Sequence, residues 1–171
     1  LAGSAVGRAR TSLLPAKESF MPKIKLGTRP TSFKHTVKFQ MLDGQEGAIE
    51  MIYKYRSRTE FGDFVDQWQR TRKEKAQQED QERARAHEAA VKAAADAGQP
   101  APELELPGSG EFQRKLAAAV AEFILEIADG WDLDEPFNLE NVLQLADTIP
   151  QAAQKIQMDY HTALTEGRLG N

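Results

Sequence analysis

The chain has no cysteine. That absence excludes disulfide frameworks, thiolate metal sites and thiol nucleophiles together, and it fits a reducing compartment. Nor does any apolar run approach the roughly 20 residues that a bilayer-spanning helix needs. Aromatic residues make up 8% of the chain against 28% charged residues, so the compact core must be smaller than 171 residues could build. Histidine is scarce: His35, His87 and His161 fall in three different segments. His87-Glu88 opens a zinc-protease-like pattern, but Val91 stands where the second histidine is required. No serine sits in a nucleophile elbow, and no glycine-rich loop follows a strand to cradle phosphate. The acids Asp129, Asp132, Asp134 and Glu135 fail as a calcium loop. One register puts Trp131 and Leu133 at ligand positions, and the other puts Pro136 there. No catalytic, cofactor-binding or metal-ligating residue is therefore named, and an enzyme is not expected.

What is present fits one domain, or two small modules joined by a linker. Leu1 to Phe20 carries Arg8, Arg10 and Lys17 among serines, a composition that could pass for a transit peptide. Met21-Pro22-Lys23 reads as a natural start, so residues 1–20 are taken as a disordered upstream or appended segment. The net charge of −4 conceals a polarity. Met21 to Glu60 is basic, with Lys23, Lys25, Arg29, Lys34, Lys38, Lys54, Arg56 and Arg58. From Glu111 onward Arg114, Lys115, Lys155 and Arg168 are outnumbered by acids. Such polarity can steer partners, or can simply mark two solvated surfaces.

Phe33, His35, Val37, Phe39 and Met41 fall on alternate positions, as do Ile49, Met51, Tyr53 and Tyr55. Period two is the mark of half-buried strands, and the intervening Asp43-Gly44-Gln45-Glu46-Gly47 predicts a hairpin over roughly 33–56. A helix follows over 58–72, capped by Ser57 or Thr59, with Phe61, Phe64, Val65 and Trp68 as a stripe placed to cover the hairpin. These elements form a module over 21–72. Residues 73–110 follow as a charged helix without large apolar residues and then a flexible linker, 98–110, broken by Gly98, Pro100, Pro102, Pro107 and Gly108. A C-terminal helical module, 111–171, completes the chain as a three-helix unit. Its first helix shows one face of Phe112, Leu116, Val120, Phe123, Ile124 and Ile127, ending at Asp129-Gly130. A short helix capped by Asn138 carries Leu139, Val142, Leu143 and Ala146. The last begins at Pro150 and carries Ala153, Ile156, Tyr160 and Ala163 or Leu164, with Gly167 as terminator. Trp131, Leu143, Ile156 and Tyr160 are expected in the core. The fold class is thus α+β, mainly helical.

The basic hairpin with Phe39, Tyr53 and Tyr55 superficially suggests base stacking on a sheet. Its apolar residues alternate as a core face should, however, and the stripe at 61–68 needs a surface to cover. His35, on the apolar face, reads as a core or rim histidine.

The C-terminal pattern is more telling. Trp131-Asp132-Leu133 leads into Phe137-Asn138-Leu139-Glu140-Asn141-Val142-Leu143. Ile149-Pro150-Gln151-Ala152-Ala153 opens the last helix, Ile156, Tyr160 and Ala163-Leu164 run along it, and Arg168-Leu169-Gly170-Asn171 ends the chain. This ordered set, with the basic hairpin and aromatic helix from Met21, resembles the tail assembly chaperones of long-tailed phages and prophages over about 21–70 and 111–171. The resemblance implies a cytoplasmic protein of the bacterial host, absent from the mature virion. It would bind the tape measure protein and keep it soluble while the tail tube assembles. A longer frameshifted form is frequent in such families. The tail tube protein is a second implied partner, and self-association stays open. Neither membrane nor nucleic acid is the expected partner. The alternatives are a nucleic-acid-binding regulator using the basic hairpin, or a structural tail component.

Overall fold

The computed structural model describes residues 27–166. The readings on residues 1–20, the start at Met21, the Gly167 terminator and Arg168–Asn171 lie outside the described residues.

Strands β1 (Ser32–Gln40) and β2 (Glu46–Lys54) form the expected antiparallel hairpin, with Ser32 opposite Lys54 and Gln40 opposite Glu46. Gly44 at φ +83° supplies the left-handed residue of the turn. Met41 closes the turn by donating its N–H to the Gln45 carbonyl at 2.8 Å. At Gly47 a Cβ would stand 2.8 Å from the Phe39 ring, so the strand passes close under that aromatic. Alternation places Phe33, Val37, Ile49, Met51 and Tyr53 on the buried face. Met41, expected on that face, lies beyond the end of β1 and is 42% exposed.

Helix α1 (Arg58–Asp96) joins the two helical stretches expected on either side of residue 72 into one rod of 39 residues, about 58 Å long. Ser57 is its cap. The Ser57 hydroxyl accepts from the Glu60 N–H, and the Glu60 carboxylate accepts from the Ser57 N–H at 2.7 Å. Those bonds, with Arg29 beside it, hold the Glu60 carboxyl below its ordinary value. After an exposed stretch containing Leu104 and Leu106, α2 (Ser109–Ile127) begins. It runs straight into β3 (Ala128–Trp131), then α3 (Leu139–Thr148) and α4 (Pro150–Glu166).

β3 was not anticipated; Asp129-Gly130 reads from sequence as a helix stop. It pairs antiparallel with β2, Met51 opposite Trp131 and Ile52 opposite Gly130, and makes a three-stranded sheet in the order β1-β2-β3. The Asp132 side chain prolongs the pairing by accepting from the Glu50 N–H at 2.7 Å. The sheet therefore draws its third strand from beyond the linker, and one core unites hairpin and C-terminal helices.

The layer over the sheet also differs from expectation. The Phe61–Trp68 stripe was placed over the hairpin, but α4 occupies that face, lying against β1. The stripe instead meets the helices. Phe61 packs edge-on to Tyr160 at 5.7 Å, and Phe64 and Trp68 pack on Phe123 at 5.6 and 5.3 Å. The reason is burial. Helix α4 offers five buried side chains, including Ile156 and Tyr160, while α1 offers none. Fully burying one such side chain is worth about 1.5–3 kcal/mol, so the apolar helix takes the sheet.

Polar bonds fix the junction. The Tyr53 hydroxyl donates to the Ile156 carbonyl at 2.7 Å, and burial pushes its phenol well above the usual range. The Tyr160 hydroxyl donates to the Lys54 carbonyl and accepts from Arg56. Arg56 also donates to the Glu126 carbonyl and lies 4.2 Å over the Phe64 ring, so one guanidinium joins the sheet end, α1, α2 and α4. His35 is on the core side of β1 as expected, with Nε2 3.4 Å from Asp159 on α4.

Two of the four expected core residues, Ile156 and Tyr160, are fully buried. Trp131 is half-buried, stacked edge-on against Phe137 at 5.1 Å with its indole N–H donated to the Glu135 carbonyl. Leu143 is a correction: it is 36% exposed, and Val142, Leu145 and Ala146 fill the core instead.

Candidate partner interface

Helix α2 has apolar side chains on more of its surface than one core requires. Ala117, Ala121, Ile124 and Ile127 face the sheet and the other helices and are buried. The alanines let neighbouring backbones approach closely. On the other side Phe112 and Leu116, which the sequence places on one apolar face with Ile124 and Ile127, are 60% and 48% exposed, and Val120 and Phe123 are half-buried.

Helix α1 runs antiparallel along this side. Phe64 and Trp68 sit on Phe123, Arg72 and Lys75 reach Glu122, and Glu79 accepts from Lys115 at 2.9 Å. The hydrogen bond from Lys115 lowers the Glu79 carboxyl, and Glu79 with Glu111 raises the Lys115 ammonium. All these groups face solvent, so they set alignment more than stability. Beneath the ion pairs lies a groove of about 270 Å³, floored by Ala76, Phe112, Leu116 and Ala119.

Leu116 also lines a second groove of about 400 Å³ between α2, α3 and α4, with Val120, Ala153 and Gln157. Gln157 is shared with a third hollow of about 350 Å³ formed by Phe61, Phe123, Met158 and His161. Three shallow grooves thus meet around the outward side of α2. Leu139 on α3, at 52%, and Met158 on α4, at 58%, are further exposed apolar side chains. The arrangement offers room for an apolar helix.

The three histidines remain apart: His35 faces Asp159, His161 packs on Phe61 at 5.5 Å, and His87 lies far along α1. Among the described residues no group of three or more His, Asp or Glu side chains could hold a metal ion. In the acidic loop, Asp132 serves the sheet edge and Asp129 lies 3.9 Å from Lys54. The outward face of the hairpin is not a free basic platform. Lys34 is held by Glu50 and Lys38 by Glu46 at 3.1 Å, while Phe33 and Tyr53 are buried. No helix of the described residues is long and apolar enough to cross a membrane.

A family model described as phage tail assembly chaperone matches residues 21–171. No curated protein and no solved structure matches the chain. The chain belongs to the phage tail assembly chaperone family, and its role is that of a chaperone in tail assembly.

Proposed function

We propose that this chaperone binds the tape measure protein and keeps it soluble while tail tube subunits polymerise around it, using the apolar grooves around α2. It would act in the host cytoplasm and be absent from the finished virion. The observation that carries this reading is the exposure of Phe112, Leu116, Leu139, Leu143 and Met158 on the helices of a family member. A tape measure protein is long and largely helical, so before assembly it presents extended apolar surface; a helix-in-groove partner would shield it from aggregation. The regulator alternative is weakened by the glutamate partners of Lys34 and Lys38, because phosphate binding would have to displace them.

Co-expression tests the proposal. The tape measure protein stays soluble with this chain and aggregates without it, and the complex survives moderate salt because apolar burial is not screened. A tape measure protein whose solubility ignores this chain would remove the proposal.

A further inference from the structure

The second groove has a charge character that selects its occupant. From Asp129 to Gln154 the chain has no Lys, Arg or His, yet it carries Asp129, Asp132, Asp134, Glu135, Glu140 and Asp147. Within the groove Asp147 is the one charged group among apolar and glutamine side chains. Helix α3 continues the surface: Leu143 lies one turn before Asp147, Leu139 one turn earlier, and Glu140 beside it. Among the described residues, Asp134, Glu135, Glu140 and Asp147 have no ion-pair partner. Other acids are matched, across the α1–α2 seam or along one helix: Glu122 by Lys75, Glu79 by Lys115, Asp159 by Lys155. Acids left unmatched beside exposed leucines form a surface whose complement comes from another molecule.

We propose that the α2–α3–α4 groove docks an amphipathic helix whose apolar stripe is flanked by Lys or Arg. Leu116, Leu139 and Leu143 would receive the stripe, and Glu140 and Asp147 the flanking cations. A second copy of this chain is a poor complement, because the apolar stripe of α1 is already packed on Tyr160 and Phe123, and Arg72 and Lys75, which continue it, are paired with Glu122. The assignment rests on the partner-binding reading above and adds the chemistry of the bound segment.

The probe is a pair of synthetic amphipathic peptides, identical in their leucine stripe, one flanked by lysine and one by glutamate. Binding to the full chain is read by fluorescence anisotropy at moderate salt. The lysine peptide should bind about tenfold or more tightly than the glutamate peptide. In the double variant Glu140→Lys with Asp147→Lys the preference should invert, and Leu143→Ser should weaken the lysine peptide severalfold. Circular dichroism melts check that the variants fold, and the comparison on the unaltered chain needs no variant. Equal affinity for both peptides, no binding of either, or a preference untouched by the double variant would overturn the inference. So would a concentration-dependent dimer that excludes the lysine peptide, since the occupant is then a second copy. Co-expression separates this from the wider proposal. A tape measure protein kept soluble by a chain that fails to discriminate the peptides sinks the groove assignment alone. Peptide discrimination without tape measure solubility sinks the tape measure reading alone.

Discussion

Helices α1 and α4 are made by opposite means. α1 has 39 residues and no buried side chain; α4 has 17 residues, of which Ala152, Ala153, Ile156, Tyr160 and Ala163 are buried. α4 is helical because a sheet and two helices close around it, while α1 is helical because its own sequence favours helix. Its Ala, Glu, Gln, Lys and Arg are strong formers, its first turn is closed by a capping box, and its ring and ion-pair contacts with α2 run from Phe64 to Glu79. Length is therefore no guide to which helix holds the molecule together. Tertiary burial fixes α4 in place, and local propensity leaves α1 replaceable in detail.

The comparison breaks first at Ile156. Truncation to Ala in α4 should cost about 3 kcal/mol by opening a cavity under the sheet, seen as a large fall in melting temperature. Next comes the seam between the helices. Phe123→Ala removes the surface under Phe64 and Trp68 and should cost about 1–2 kcal/mol, reflecting partial burial. Trp68 fluorescence should shift to the red while Trp131, near Phe137, reports an intact core.

Smaller still is the cap. Ser57→Ala should cost about 1 kcal/mol of α1 stability. Because the capping bonds depress the Glu60 carboxyl, its contribution is present above the unfolded carboxylate value of about 4.3 and is lost as pH falls through the lower folded value. Helicity of α1 measured by circular dichroism should fall in that acid window for the unaltered chain, and Ser57→Ala should blunt the change. Least costly is Ala90→Pro. It should remove helix signal from the end of α1 yet alter global stability by less than about 0.5 kcal/mol, for nothing there is buried. A large destabilisation from Ala90→Pro would show that the far end of α1 packs on the core after all.

Much of this was legible in the sequence because the hairpin and α4 repeat their patterns over nine or more residues. Ser57 and Asn138 marked helix starts, and both cap as expected. β3 was not legible. Four residues, Ala128 to Trp131, are too few to show a period, and their partner strand lies across the linker. The groove was hidden by a different ambiguity. Leu139, Val142, Leu143 and Ala146 form one helical face on paper, but the core takes Val142, Leu145 and Ala146 and leaves the two leucines outside. Leu116 was misplaced likewise, because Ala117 and Ala121, silent to a hydrophobic pattern, proved to be the buried positions. An apolar band on α2 too wide for a single core was the signal available.

Whether the exposed leucines hold the tape measure protein is decided by its solubility when co-expressed with the Leu116→Ser, Leu143→Ser variant. Both positions are exposed, so the variant should fold, with a melting temperature near that of the unaltered chain. The unaltered chain should keep the tape measure protein soluble, and the folded variant should let most of it aggregate. Full solubility with the folded variant would contradict this.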